Sequence, residues 1–244
     1  MRQCAQRSKK RLKPWLKQQW CVARVDAEYL LRMEDILALY AEPYDPQHPV
    51  VCFDEMPIRL LENIYPELPA RPDKPHIPRR QDYSYEPHGL HNALVFFEPL
   101  AGMRHITISN YKTKAEFAQQ IKYLNALYPE AETIRLVMDN YGTHKLNALY
   151  EVFPAAQARE LARRLEVHYT PKHASWLNMV EIELSIFARQ CLRNTRVPSP
   201  QVLQDIATTY EKRRNQQQAK ITWTFKIPDA RTKLKHLYSK VYAP

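Results

Sequence analysis

Two aspartates each follow directly on a short apolar run. Asp54 follows VVCF (50–53), and Asp139 follows IRLVM (134–138). Runs of this length read as strands, and the second reads as one buried on both faces. An acid at a strand end is common in itself, because it bonds free backbone N–H groups in turns and helix starts. A pair is different. If the first and fourth strands are neighbours, the two carboxylates lie side by side, repel, and titrate upward unless a cation sits between them. Oxygen ligands of this kind suit Mg2+ or Mn2+. A third acid is expected from the helix after TPKHAS (170–175). Glu181 and Glu183 both qualify. They flank the apolar stripe on opposite sides, so helical phase does not choose between them.

Polar residues surround these acids. Asn140 either orients Asp139 or closes a turn. His144, Lys172 and His173 fall on loops expected to face the same edge. Lys172 suits a phosphate, and either histidine suits a nucleic-acid contact or a hydrogen bond to a metal-bound carboxylate. Trp176 reads as a core anchor at a helix start rather than a stacking surface.

The elements that must position these groups follow from periodicity. Residues 26–41 read as a helix, 50–53 as a strand, and 93–99 with 104–108 as an antiparallel hairpin. Prolines at 66, 69, 72, 75 and 78 predict an extended surface loop. Thr113 to Tyr128 reads as a helix opened by Thr113 or Lys114, and 134–138 as the next strand. Residues 144–165 read as helical, 166–169 as a strand, and Trp176 to Leu192 as one helix. Leu177, Val180, Leu184, Phe187 and Cys191 form its stripe. Three early strands followed by alternating units predict an α/β fold, a mixed sheet with helices on both faces. In such sheets the chemistry sits where strand ends open into loops.

Composition narrows the function. The net charge of +10 favours a polyanionic partner, most simply nucleic acid. With only three glycines, a Gly-rich phosphate loop is excluded. Four scattered cysteines, with no CxxC pair, argue against zinc and disulfides and suit a reducing cytoplasm. No apolar run is long enough to span a bilayer. Residues 1–20 hold seven Lys/Arg and no acid, and read as a DNA-contacting arm or a solvated connector. Residues 193–244 hold 11 Lys/Arg against 3 Asp/Glu, with Trp223, Phe225, Tyr238 and Tyr242 interleaved. That stretch suits salt-sensitive contact with a DNA backbone.

FDE (53–55), VMDN (137–140) and YTPKHASWLNMVEIELS (169–185) together resemble the DDE transposases of bacterial insertion sequences related to the mariner elements. The likeness runs over roughly residues 10–240. In that family the third acid follows an LNxxE motif, which here is Leu177-Asn178-Met179-Val180-Glu181 and implies Glu181 rather than Glu183. The resemblance implies a ribonuclease H-like catalytic domain over 46–195. A basic linker and helix (1–45) would precede it, and a basic helical extension (196–244) would pack on it. It implies two divalent cations, Mg2+ or Mn2+, held by Asp54, Asp139 and Glu181 at about 4 Å separation. Asn140, His144, Lys172, His173 and Asn178 become supporting or DNA-binding residues. The implied partners are element-end and target DNA, with a homodimer as the active form in the cytoplasm, at the nucleoid. The implied reaction is hydrolysis at element ends and joining of the freed 3′-hydroxyl to target DNA.

Relatives carry helix-turn-helix modules ahead of this domain, whereas this chain starts within what resembles their linker. The expectation is a module supplied by another polypeptide, or a truncated copy. The rival functions are a silent DNA-binding remnant and a ribonuclease or junction resolvase on the same fold. Ala174 stands where relatives tend to have glycine, and Met56 where they tend to be basic. An αL glycine replaced by alanine would cost about 1 kcal/mol.

Overall fold

The computed structural model describes residues 26–71, 73 and 77–242. The basic stretch 1–20, Cys21, and Pro72 and Pro75 of the proline series lie outside them. Helix α1 (Ala27–Leu39) opens at Asp26, whose carboxylate accepts from Tyr29 N at 2.9 Å. It buries Tyr29, Leu30, Met33, Ile36 and Leu37, one apolar face.

Five strands follow in one sheet: β1 (Val50–Asn63), β2 (Tyr85–Glu98), β3 (Met103–Ser109), β4 (Ile134–Met138) and β5 (Leu165–Tyr169). Their spatial order is β3-β2-β1-β4-β5. The β1–β2 and β2–β3 pairs are antiparallel, and β1–β4 and β4–β5 are parallel. Every residue of β4 is buried, as expected of a parallel strand covered on both faces. Its one charge, Arg135, pairs with Glu42 and donates through Nε to His48 O at 2.9 Å.

Alternate strand residues feed two cores. Cys52, Val95, Phe97 and Val137 pack with α1 and the later helices, while Val51, Phe53, Phe96 and Leu136 pack on the opposite face. That second face is covered by α2 (Lys114–Leu127), α3 (Ala148–Val152) and α4 (Ala155–Arg163). Thr113 caps α2, its hydroxyl accepting from Glu116 N at 3.2 Å. The helical region 144–165 is divided because Pro154 holds Phe153 extended (ψ 156°).

Two expectations are corrected. First, β1 does not stop at Phe53; it runs through Asp54 to Asn63. Pro57 is tolerated because β4 pairs with β1 only over Val50–Cys52, leaving Pro57 with β2 alone. Second, 176–192 is not one helix. A 3-10 turn (Ser175–Leu177) leads through Asn178 into α5 (Val180–Phe187), which ends in a π-helical turn (Ala188–Leu192). Asn178 leaves helical geometry (ψ 108°) because its side chain bonds elsewhere.

The remaining helices are α6 (Pro200–Gln216), α7 (Ile227–Lys233) and α8 (Lys235–Tyr242). Helix α6 lies along the outer edge of β3. The N–H groups of Arg104, Ile106 and Ile108 donate to side-chain oxygens of Asn215 (2.9 Å), Glu211 (2.8 Å) and Gln204 (3.4 Å). An edge strand is thereby covered. The β2–β3 turn packs against the end of this helix. Gly102 has φ +72°, and a Cβ there would lie 2.5 Å from the Gln218 carbonyl carbon. No helix among the described residues is long and apolar enough to cross a membrane.

Candidate active site

The parallel register β1–β4 brings the two aspartates together. Cys52 pairs with Val137, and two residues further along each strand are Asp54 and Asp139. There β4 leaves the sheet while β1 continues, with Asp54 opposite Val95 of β2. The acids therefore stand at the carboxyl end of β4, where the sheet opens into loops.

Helix α5 brings the third acid. Asn178 Nδ2 donates to Phe53 O at 2.9 Å, and Glu181 N donates to Asn178 O at 3.1 Å. Tyr40 Oη holds Leu177 O at 2.8 Å. The start of the helix is thus tied to the residue preceding Asp54. The two glutamates then have different surroundings. Glu181 is half-buried, and its charge is felt at Asp54. Glu183 is buried and bonded to Tyr210 and Arg214.

Asp54 is the electrostatic centre. Burial pushes its carboxyl up to about 7 against the 2.8 Å hydrogen bond from Glu55 N, and the charges of Glu181, Asp139 and Glu55 add to the rise. Asp139 behaves oppositely. Burial would raise it, but hydrogen bonds from His144 and from Tyr141 N (3.2 Å) hold it below the usual range. Burial would likewise lower His144, yet its bonds to Asp139 and to Glu55 Oε1 (2.7 Å) push it up to about 9. Glu55 Oε2 lies 2.9 Å from Lys112 Nζ, an ion contact outside hydrogen-bond geometry. The chain Asp139–His144–Glu55–Lys112 alternates in charge.

Of the two roles expected for His144, the geometry matches the hydrogen bond to a carboxylate. It is fully buried, wedged against Phe53 and Phe117 with ring centroids 5.4 and 5.3 Å away, so it cannot reach DNA. It is the hydrogen-bond partner of an acid instead. Asn178, also buried, is likewise a structural tie and not a DNA contact. Glu55 and Lys112 were not foreseen. Glu55 was visible only as the third letter of FDE, and strand alternation sends it to the face opposite Asp54.

Lys172 and His173 are exposed and line a cleft of about 940 Å³ with Asp139, Asn140, Tyr29 and Arg32. Asn140 accepts from Lys145 Nζ. An apolar cavity of about 560 Å³ near Tyr44 and Trp223 is lined by none of the three acids. Ala174 has φ −122°, so the expected left-handed cost is absent. The positive φ (+63°) belongs to His173. Trp176 is not a core anchor. It is 43% exposed and rests on Trp223 (6.3 Å, stacked) and Phe225 (5.9 Å, edge-on). Trp223, Phe225 and Tyr238 are partly buried against the core, and Lys233 Nζ lies over the Phe225 ring, 5.4 Å from its centroid.

Among the described residues, no three His, Cys, Asp or Glu side chains converge closely enough to enclose a cation. The donor set nevertheless suits one. The charges of Glu181 and Asp139 both act on Asp54, whose carboxyl burial already pushes up to about 7. Hard oxygen donors of this charge fit Mg2+ or Mn2+ and do not fit a soft metal.

Residues 49–204 match the family model described as DDE superfamily endonuclease. A 137-residue stretch is 28% identical to the insertion element IS630 uncharacterized 39 kDa protein of Shigella sonnei. That match covers 55% of this chain and 36% of the relative. The fold is similar to that in the Mos1 strand transfer complex (TM-score 0.55, 14% identity, 87% of this chain and 64% of that one). It is equally similar to that in the Mos1 mariner paired end complex with Mn (0.55, 13%, 88% and 66%). The chain thus matches about a third of the curated relative's length and just under two thirds of these structures' chains.

Proposed function

Because the chain belongs to the DDE superfamily endonuclease family and has a ribonuclease H-like fold, we propose that it is the catalytic domain of a transposase. It cuts DNA strands at element ends and transfers the 3′-hydroxyl ends to target DNA. The observation that carries this reading is the register that sets Asp54 beside Asp139, with the charge of Glu181 acting on Asp54.

Asp54, Asp139 and Glu181 would hold two divalent cations, Mg2+ or Mn2+. Such cations would supply activation of a water or hydroxyl and charge neutralisation at the leaving oxygen. The protein's part is placement. Asp54 sits on a strand paired on both sides up to the preceding residues, which fixes it better than a loop could. His144 holds one oxygen of Asp139 and leaves the other free. Asn178 fixes the helix start and so the third acid. Lys172, His173 and Asn140 meet the phosphates of the bound strand along the cleft.

The partners follow from this reading. They are element-end and target DNA, a second copy of the chain in the active complex, and a helix-turn-helix module that recognises the ends. Nicking of supercoiled plasmid with Mg2+ or Mn2+, beside Asp139→Ala, tests the proposal. Metal-dependent nicking lost in a folded variant is the expected result. Equal nicking by parent and variant overturns the site. DNA binding without nicking, even with the end-recognition module added in trans, would favour a silent remnant.

A further inference from the structure

We propose that Glu183 is a positioning residue for Glu181, and that helix α6 acts on the catalytic acid through it. The inference rests on the transposase reading above and adds a residue to it.

Glu183 lies two positions past Glu181, on another face of the eight-residue helix α5. It is 1% exposed. Both its oxygens are held from outside the helix. Oε1 accepts from Tyr210 Oη at 2.7 Å and from Arg214 Nε at 3.3 Å, and Oε2 accepts from Arg214 Nη2 at 3.0 Å. Arg104 Nε lies 3.1 Å from Oε1, an ion contact outside hydrogen-bond geometry. Arg104 is itself fixed. Its Nη1 donates to Asn215 Oδ1 at 3.2 Å and its Nη2 to Ala219 O at 2.7 Å. The anchors therefore come from β3 and from α6, against which α5 also packs Phe187 on the Tyr210 ring (centroids 5.0 Å).

Apolar packing alone sets the roll of a short helix loosely, whereas directional bonds to a carboxylate set it tightly. The magnitude matters here. Side chains reach about 5–6 Å from a helix axis, so a roll of about 20° moves a carboxylate by roughly 2 Å. Metal ligation tolerates about 0.2 Å. Asn178 fixes the helix at its start, but a single tether leaves the roll open. Glu183 closes it from the next turn.

Two variants separate positioning from mere stability. Glu183→Gln keeps the shape and one acceptor but drops the charge. The second variant combines Arg104→Met, Glu183→Leu, Tyr210→Phe and Arg214→Met. It replaces the ionic cluster with apolar packing, an exchange that commonly preserves stability. Mn2+ binding by each purified chain is followed by electron paramagnetic resonance, beside far-UV circular dichroism. The expected result is at least a tenfold loss of Mn2+ affinity in both variants with a native spectrum. Parent-like affinity in the folded apolar variant overturns the inference alone. Loss of the native spectrum in both makes the cluster a folding requirement and also overturns it. A parent chain that takes up no Mn2+ overturns this inference together with the proposed function.

Discussion

The side-chain amide of Asn178 donates to the main-chain carbonyl of Phe53 across 2.9 Å, joining the helix of one candidate acid to the strand of another. Asn178→Ala removes this tie and leaves a buried carbonyl unpaired. The expected cost is about 1–3 kcal/mol in urea unfolding. Mn2+ affinity should fall by more than that loss of stability explains. A variant with parent affinity would make Asn178 structural only.

His144 lies between two carboxylates and is fully buried. His144→Ala should destabilise the fold by about 3 kcal/mol, because Glu55 is left buried without its imidazolium partner. Metal-dependent nicking should fall about 10–100-fold, the usual penalty for losing a group that orients a ligand. Melting curves and nicking rates measured on the same preparation check both.

Asp54 makes the chain sensitive to pH in a defined direction. Its folded carboxyl titrates at about 7, above the ordinary 3.8. Protonation therefore favours the folded state. This contribution is fully present below about pH 4 and is lost as pH rises through 7. Cation binding needs the charged form, so it runs the other way. Mg2+ should raise the melting temperature more at pH 8 than at pH 5.5. In Asp54→Asn the difference should vanish. An equal Mg2+ shift at both pH values would remove Asp54 from the metal site.

Gly102 turns the β2–β3 hairpin with φ +72° against the Gln218 backbone. Gly102→Ala adds a clash and a left-handed penalty, for an expected loss of about 1–3 kcal/mol. The same backbone carries the Ala219 carbonyl that holds Arg104, so Mn2+ affinity should fall as well. Urea melts and Mn2+ titrations together test this.

The sequence made β4 legible to the residue, because a parallel strand buried on both faces is apolar almost throughout and ends abruptly at Asp139. The neighbouring placement of Asp54 was legible only as a condition, since the pattern does not decide that β1 lies beside β4. The length of β1 was hidden, since Pro57 is a strand breaker everywhere except where one neighbour has left the sheet. The burial of His144 was hidden too. A histidine in a polar loop gives no sign that Glu55, 89 positions earlier, waits for it. Helical phase could not separate Glu181 from Glu183. The groups that tell them apart, Arg104, Tyr210 and Arg214, are remote in the chain and meet Glu183 only once β3 and α6 are assembled.

The family match ends at residue 204, whereas the cover of β3 depends on Gln204, Glu211 and Asn215. A catalytic unit trimmed to the matched boundary would bare the main-chain donors of Arg104 and Ile106 along the outer flank of β3. Such a flank invites a second molecule to continue the sheet. The tail of this protein is thus also a guard against self-templating. The first sign of its loss would be turbid solution, before any change in the chemistry could be read.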